Sequence, residues 1–522
     1  MKRDLRRDRF LVFGAMSAFV ILAMLAILIV QYLISQKPDS RPTYWPTQSW
    51  KSSTPEEHGI DSSKLAEGLR IIREREVDIH SLLIIRNGMV VVDASFYPYD
   101  GKTVHDLASV TKSITTTLIG IAADQGKLDM DQPMVSFFPE YTIANLDDRK
   151  KSITVRHLAS MSSGLESMGL EGDEGTLRNM QESEDWVQFA LDRKVVSQPG
   201  TTFVYDSPGM HLLSAILQKA TGMAALEFAR QNLFEPLGIQ DVIWPADPQG
   251  FNHGWGDLYL HPHDVAKIGY LWLNRGVWEE RQIVSREWVE SSVNTQIKTG
   301  MDDDYGYGWW TMSGIAGSEF AAIGRGGQRI QVIPALGIIV VTTGGGFDID
   351  EIMPLLVPSL VDPTKPLPAN PEGMEKLKET LAQILKPPAT KQVEPLPDMA
   401  KVISGKTYVL DSNRLELKTL RLDFNESAEA VLHIAFTGER PSPPQLVGLD
   451  GVYRMSQGEY DLPKGARGYW EEDGTFILEY DEIAANNHFT FQLVFQDDKL
   501  TIKGLETAHE LGITIEGRLQ NQ

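Results

Sequence analysis

The chain has 522 residues, of which 42% are hydrophobic and 23% charged, and it contains 11 Trp. Because this length exceeds one ordinary domain, we expect two or three folded units with sizeable cores. The formal net charge of −22 and the pI of about 5.0 argue against nucleic-acid binding, since no basic patch follows the N-terminus. The sequence has no cysteine, so disulfides, thiolate metal sites and cysteine nucleophiles are excluded.

The first segment has the pattern of a membrane anchor. An uncharged apolar run extends from Phe10 to Val30 and is preceded by five basic residues, Lys2, Arg3, Arg6, Arg7 and Arg9. About 20 apolar residues cross a bilayer core as a helix, and lysine and arginine are retained on the cytoplasmic side. A cleaved signal peptide is the alternative, but its apolar region is ordinarily about 7–15 residues with a small-residue cleavage site after it. Residues 31–35 offer no such site, so we predict a single-pass helix with a cytoplasmic N-terminus and an extracytoplasmic remainder.

Composition and periodicity divide the chain into six segments. Proline-rich polar stretches separate the anchor from a long mixed α/β region, and that region from a C-terminal part with period-two alternation. The predicted bounds are 1–9 for the basic cytoplasmic segment, 10–34 for the transmembrane anchor, 35–51 for a linker, 52–361 for the α/β domain, 362–401 for a Pro-rich linker with a short helix, and 402–522 for an all-β domain.

Within the α/β region, the strongest local signals are a hairpin, a helix and a buried strand. Asn87-Gly88 lies between two apolar runs, which is a two-residue hairpin pattern. A helix follows with Ile114, Leu118 and Ile121 on one stripe. Near the end of the region, the run Ile338–Val341 predicts a buried strand.

The C-terminal part reads as antiparallel strands. Apolar residues alternate with polar ones over 432–436 and over 489–495, and Asp473-Gly474 marks a hairpin turn. We therefore predict a separate sandwich or barrel. It contains no recognisable catalytic set, so we expect it to support positioning or partner binding.

The start of the predicted helix carries the first chemical motif, Ser109-Val110-Thr111-Lys112. Residues i and i+3 of a helix lie on one face, so the Lys112 amine can reach the Ser109 hydroxyl. A hydroxyl is a weak nucleophile at neutral pH and needs an adjacent base, which a desolvated lysine can provide. The motif also occurs by chance, as a helix start with a solvated lysine.

Two later stretches supply groups that would complete a site. Tyr205-Asp206-Ser207 offers a proton carrier and a second hydroxyl in a loop, and Gly324-Arg325-Gly326-Gly327-Gln328 offers a cation before an apolar strand. Glycines there allow a substrate backbone to approach closely. Singly, Tyr205 reads as a core aromatic and Arg325 as a surface charge, but their order after Ser109 favours one active site.

The order Ser-x-x-Lys, Tyr-x-Ser and Arg-Gly-Gly resembles the three-box pattern of serine β-lactamases and penicillin-binding proteins. The resemblance is closest to the class C-like branch, which includes esterases, D-aminopeptidases and 6-aminohexanoate-dimer hydrolase. It covers about residues 56–361, with further matching stretches at 153–158, 161–165, 233–239 and 305–310. The implied fold is an α/β (α+β) hydrolase domain with an antiparallel sheet and a helical subdomain, and no cofactor is expected.

The resemblance also implies a mechanism. Ser109 is acylated while Lys112 assists its deprotonation, and Tyr205 protonates the leaving group and then activates water. The oxyanion hole consists of the backbone N–H groups of Ser109 and Gln328. The implied substrate-binding residues are Ser207, Arg325, Gly326 and Gly327.

Two departures from the commoner pattern bear on the substrate. The second box ends in Ser207 where an Asn is commoner, and the third begins with Arg325 where Lys or His is commoner, which argues against efficient β-lactam turnover. The planar fork of arginine suits a carboxylate. We therefore predict that Arg325 selects acidic or C-terminal-carboxylate substrates, the alternative being an arginine paired with a surface acid.

These observations predict a membrane-anchored serine hydrolase acting on a small ester, amide or D-amino-acid peptide. Two alternatives remain open: a non-catalytic or slowly acylating cell-envelope protein that binds peptidoglycan or penicillin, and a structural envelope protein. His261-Pro262-His263-Asp264 invites a metal interpretation, but no third ligand stands at a recognisable spacing. The resemblance instead implies that Asp264 caps the helix that follows, so no metal is expected.

Overall fold

The computed structural model describes residues 42, 44–168, 173–314, 317–425, 427–438, 443–508 and 511–520. The predicted basic segment and transmembrane anchor, residues 1–34, lie outside the described residues. Among the residues that are described, no helix is both long and apolar enough to span a bilayer.

The first domain is built from helices packed on both faces of a sheet. Its helices are α1 (Ser62–Glu74), α2 (Val110–Asp124), α3 (Asp148–Lys151), α4 (Val155–Ala159), α5 (Asp173–Gln181), α6 (Trp186–Asp192), α7 (Ser207–Thr221), α8 (Ala225–Ala229), a π-helical turn (Arg230–Phe234), α9 (Glu235–Leu237), α10 (Pro262–Leu273), α11 (Arg286–Ser292), α12 (Ile349–Leu356) and α13 (Pro371–Ile384). Its strands are β1 (Ile79–Arg86), β2 (Met89–Ser95), β3 (His105–Asp106), β4 (Tyr259–Leu260), β5 (Val277–Trp278), β6 (Arg281–Gln282), β7 (Asp304–Tyr305), β8 (Trp310–Gly314), β9 (Gly317–Gly324), β10 (Gln328–Ile333) and β11 (Ile338–Gly344).

The central sheet is antiparallel, with the strand order β2-β1-β11-β10-β9-β8-β7. The predicted Asn87-Gly88 hairpin joins β1 to β2, and both residues have the positive φ that this turn requires, 51° and 81°. The predicted strand over 338–341 is β11, which is buried along its whole length because helices cover both faces. Helices α2 and α10 contribute to one core, and α1, α12 and α13 to the other.

Two helices differ from the sequence-based expectation. Helix α10 begins at Pro262 with His261 as its N-cap residue, so the prediction that Asp264 caps this helix is wrong; Asp264 lies in the first turn and pairs with Lys267 at 2.8 Å. Helix α13 is the short helix predicted within the Pro-rich linker 362–401, but its Leu377 and Ile384 are buried in the core that α1 helps to form. The first domain therefore extends through α13.

The second domain is a closed antiparallel barrel. A short helix, α14 (Asp398–Ile403), precedes its strands β12 (Thr407–Leu410), β13 (Leu417–Phe424), β14 (Glu429–Phe436), β15 (Gln445–Gly448), β16 (Arg454–Gln457), β17 (Pro463–Trp470), β18 (Phe476–Asp481), β19 (His488–Gln496), β20 (Lys499–Glu506) and β21 (Leu511–Leu519). The strand order is β15-β14-β13-β12-β21-β20-β19-β18-β17-β16, with antiparallel neighbours, and a parallel bridge between β15 and β17 closes the sheet. Along β19, Phe491, Leu493 and Phe495 point into the barrel core, as their alternation predicts.

Candidate active site

The turn that presents Ser109 has a strained backbone. Ala108 adopts a φ of +43°, a left-handed conformation that costs a non-glycine residue about 1–2 kcal/mol. The Asp106 carboxylate accepts a hydrogen bond from the Ala108 N–H at 2.9 Å, which stabilises this turn. Helix α2 begins at the next residue after Ser109, so the hydroxyl stands at a helix N-terminus, where developing negative charge is favoured.

Lys112 lies one turn along α2 and is almost completely buried, with 1% of its surface exposed. Its Nζ donates to Ser109 Oγ at 2.8 Å and to the Trp255 carbonyl at 3.0 Å. The first contact is the one that the Ser-x-x-Lys spacing predicts. Because the amine lies within hydrogen-bond reach of the hydroxyl, it is placed to exchange a proton with it.

Tyr205 lies beside the lysine. Lys112 Nζ stands 4.8 Å from the centroid of the Tyr205 ring, and the ring stacks on Trp310 with centroids 6.4 Å apart. The Ser167 hydroxyl donates to the Tyr205 carbonyl at 3.1 Å, which fixes the loop that carries the ring. The structure thus brings together the three residues to which the sequence assigns proton transfer and acyl transfer.

Ser207 is the first residue of α7, and its partner is a carboxylate that the sequence analysis did not identify. The Ser207 N–H donates to Asp173 Oδ1 at 2.9 Å, and its hydroxyl donates to the other oxygen. Burial raises the pKa of Asp173, while the positive charge of Lys112 and the bonds from Ser207 act in the opposite direction. The Ser207 hydroxyl already donates to Asp173. Its contact with the substrate therefore stays a prediction.

The Arg-Gly-Gly box forms the turn between β9 and β10. Gly326 and Gly327 have φ values of 81° and 93°, which favour glycine. At the end of β9, a Cβ on Gly324 would lie only 3.0 Å from the Ser109 nitrogen. Glycine at this position therefore allows the strand to run directly beside the nucleophile.

Gln328 begins β10 and ties this turn to β11. Its side-chain nitrogen donates to the Gly344 carbonyl at 2.6 Å, and its side-chain oxygen accepts from the Gly344 N–H at 3.1 Å. The same nitrogen donates to the Arg325 carbonyl at 3.1 Å. The use of the backbone N–H groups of Ser109 and Gln328 as an oxyanion hole stays a prediction.

Arg325 contacts the side chains of Glu174 and Asn486. Its Nη1 lies 3.1 Å from Glu174 Oε1, and its Nε and Nη2 donate to Asn486 Oδ1 at 3.1 Å and 2.6 Å. The sequence analysis gave two roles for Arg325: selection of carboxylate substrates, or pairing with a surface acid. The contact with Glu174 is the arrangement that the second role predicts. Asn486 belongs to the barrel domain, so the second domain reaches the candidate site.

Asp106 is the other group that the sequence analysis missed. It lies three residues before Ser109 and is 6% exposed. Burial raises its pKa to about 7, helped by the negative charge of Asp257, whereas the Ala108 N–H and Arg325 lower it. The proximity of Asp106 to Ser109 in the sequence is a signal that could have identified it. Asn486 has no such signal, because it lies almost four hundred residues after Ser109.

The histidines of the His-Pro-His-Asp stretch pair with separate carboxylates. His261 lies 3.6 Å from Asp241, and His263 lies 2.9 Å from Asp93. Within the described ranges, no group of three or more His, Asp or Glu side chains is arranged to hold a metal ion.

A sheet between two helical layers, with Lys112 and Tyr205 gathered around Ser109 at the start of α2, is the arrangement of a serine hydrolase. The sequence pattern of the β-lactamase family matches residues 75–347. The chain belongs to this family, and it is a β-lactamase-family serine hydrolase.

Similar proteins include enzymes and a penicillin-binding protein homologue. The 6-aminohexanoate-dimer hydrolase of Paenarthrobacter ureafaciens is 25% identical over 314 residues, which cover 55% of this chain and 79% of the relative. The esterase EstB of Burkholderia gladioli is 27% identical over 224 residues, 38% of this chain and 57% of the relative. The octameric penicillin-binding protein homologue from Pyrococcus abyssi has 20% identity and a TM-score of 0.47, with 85% of this chain and 97% of that one covered.

Proposed function

We propose that the protein forms an acyl-enzyme on Ser109 and hydrolyses a small ester, amide or D-amino-acid peptide. The observation that carries the proposal is the 2.8 Å contact between Ser109 Oγ and Nζ of the buried Lys112. The names of two relatives, an esterase and a 6-aminohexanoate-dimer hydrolase, support the choice of ester and amide bonds.

In the acylation step, Lys112 Nζ takes the proton from the Ser109 hydroxyl as Oγ attacks the carbonyl carbon. Backbone N–H groups beside the nucleophile stabilise the oxyanion of the tetrahedral intermediate. When that intermediate collapses, the bond to the leaving alcohol or amine breaks, and Tyr205 gives the leaving group its proton. Lys112 keeps the proton from the serine, so Tyr205 is left as a phenolate beside the lysine ammonium.

In the deacylation step, water attacks the ester carbonyl of the acyl-enzyme. Its proton passes to the Tyr205 phenolate, the bond from Ser109 Oγ to the acyl carbon breaks, and Lys112 returns the proton that it holds to the serine oxygen. The products are a carboxylic acid and the free enzyme. Because each step needs a proton carrier within reach of Ser109, both Lys112 and Tyr205 are required for turnover.

The test is Ser109→Ala, with a nitrophenyl ester as the substrate and intact-protein mass spectrometry for the acyl adduct. We expect hydrolysis and labelling to be lost together, with a decrease in kcat of about a million-fold. Ser113→Ala is the matched control, because the Ser113 hydroxyl lies one turn further along α2 and donates to the Gly308 carbonyl. Retained hydrolysis by Ser109→Ala would contradict the proposal. A wild-type protein that is labelled but never turns over would favour the slowly acylating binding protein.

We also propose that residues 10–34 anchor the protein in a membrane with the hydrolase domain outside the cytoplasm. The support is the basic segment followed by the apolar run from Phe10 to Val30. Protease added to intact cells should digest the chain beyond Ser35. Full protection of that part would contradict the topology.

A further inference from the structure

The loop between β18 and β19, residues 482–487, extends from the barrel to the nucleophile's domain. Its Ala484 carbonyl accepts a hydrogen bond from the Asp106 N–H at 2.8 Å. Two residues later, Asn486 has none of its surface exposed to solvent. Gly326 packs against it so closely that an added Cβ would lie 2.8 Å from Asn486 Cβ. Asn486 is therefore a buried part of the candidate site.

The Asn486 amide bridges two oppositely charged groups. Its nitrogen donates to Asp106 Oδ2 at 2.5 Å, and its oxygen accepts from Arg325 Nε at 3.1 Å and Nη2 at 2.6 Å. A neutral amide can donate to an anion and accept from a cation at the same time. An ionised Asp in its place would face the Asp106 carboxylate, and an alanine would leave the buried Asp106 and the partly exposed Arg325 with fewer bonds.

Both groups that Asn486 holds belong to backbone segments that flank the nucleophile. Asp106 accepts from the N–H of Ala108, the strained residue just before Ser109. Arg325 directly follows Gly324, the residue whose added Cβ would approach the Ser109 nitrogen. One side chain from the barrel thus connects the two segments between which an acyl carbonyl must bind.

We propose that Asn486 is a positioning residue for the acylation of Ser109, so that the barrel and the hydrolase domain form one catalytic unit. This inference rests on the proposed function of Ser109. Displacing a reacting group by about 1 Å can cost on the order of a hundred-fold in rate. Asn486 acts through Asp106 and Arg325 and does not touch the substrate itself.

Other contacts also hold the barrel against the first domain. The positioning role of Asn486 can therefore be tested apart from the attachment of the barrel. His488 Nδ1 lies 2.6 Å from Asp78 of the first domain, and the Tyr453 N–H donates to the Tyr97 hydroxyl at 3.1 Å. These contacts do not involve Asn486. Its replacement should therefore leave the barrel docked while it loosens the turn at Ser109.

The first test is Asn486→Ala in the full chain, with steady-state kinetics on a nitrophenyl ester and the rate of acyl-adduct formation. We expect kcat and the acylation rate to fall about ten- to a hundred-fold, with KM changed less than about three-fold because no substrate contact is removed. Asn487→Ala is the matched control, since its amide donates to Glu482 Oε2 within the same loop, and it should keep most of the activity. Wild-type kcat and acylation rate in a folded Asn486→Ala protein would overturn the proposal.

The second test is Asn486→Asp. This variant keeps the shape of the side chain, and it tests the positioning role even if the alanine variant does not fold. The charged groups around position 486 are Asp106, Arg325, Asp257 and Glu482. An ionised Asp at 486 repels Asp106, whereas a protonated one donates to Asp106 and accepts from Arg325 as the amide does. The ratio of variant to wild-type kcat should therefore rise about ten-fold as the pH falls from about 8 to about 5.5. A ratio that does not change with pH would overturn the proposal.

Failure of the proposed function is recognised separately. If Ser109→Ala keeps its hydrolysis and its adduct, the chemistry lies elsewhere, and the positioning role of Asn486 falls with it. If Ser109→Ala is inactive while the Asn486 variants behave as wild type, only the positioning role is overturned.

Discussion

At the scale of single residues, the contacts of Arg325 decide which effect its removal should have. The guanidinium already meets Asn486 and the Glu174 carboxylate, and Glu174 is about half exposed, at 53% of its side-chain surface. A substrate carboxylate would have to compete with both. The geometry therefore favours a guanidinium that holds the β9–β10 turn over one that selects acidic substrates.

We predict that Arg325→Ala lowers kcat/KM for neutral and carboxylate-bearing esters by similar factors, about ten-fold or more. The reason is that the loss loosens the turn beside Ser109 for every substrate. The measurement compares the two ester classes at equal chain length, with Glu174→Gln as the control that removes only the competing charge. A loss confined to the carboxylate-bearing ester would instead support substrate selection.

At the scale of elements, helix α13 shows that a proline-flanked segment can belong to a core. Leu377 is 3% exposed and Ile384 2% exposed, and both pack in the cluster that includes residues of α1 and β11. The prolines around the helix produced the linker prediction, because proline-rich composition is typical of spacers. The buried face of α13 can be recognised only together with its partner α1, which lies some three hundred residues earlier in the chain.

We predict that Leu377→Ala lowers the free energy of unfolding of the first domain by about 2–4 kcal/mol, because it leaves a cavity in a packed core. Leu385→Ala is the control, since Leu385 follows the same helix and is 42% exposed. Urea unfolding followed by tryptophan fluorescence measures the difference through the transition midpoint. Equal midpoints for the two variants would show that α13 is dispensable for the core.

At the scale of the whole molecule, a partly buried ion pair joins the two domains. His488 of the barrel lies 2.6 Å from Asp78. Burial lowers the pKa of His488, but the hydrogen bond and charge of Asp78, with the charges of Asp481 and Glu479, raise it overall to about 9. The folded protein therefore binds this proton more tightly than the unfolded chain does.

We predict that the stabilisation from this pair is complete below pH 6.5, the ordinary pKa of histidine, and is lost as the pH rises through about 9. The difference in unfolding free energy between wild type and His488→Gln should shrink by up to about 3 kcal/mol between pH 7 and pH 10. The check is the denaturation midpoint of both proteins across that range. Asp78→Asn should remove the same pH dependence, and a difference that stays constant with pH would contradict the assignment.

The sequence by itself determined the local elements and the chemical boxes. The Asn87-Gly88 hairpin, the strand β11, the alternation along β19 and the Ser-x-x-Lys spacing all follow from contacts between residues that are near in the chain, where periodicity and turn chemistry act. The resemblance to the β-lactamase family followed from those boxes, and the match over residues 75–347 confirmed it.

Only the tertiary structure decided what surrounds the boxes. Asp173 on Ser207, Asn486 between Asp106 and Arg325, and α13 in the first core depend on residues far apart in sequence. No periodicity or composition connects such residues, because their contacts are set by how whole elements pack against each other. The sequence therefore predicted which groups react, whereas the fold determined which side chains lie against them.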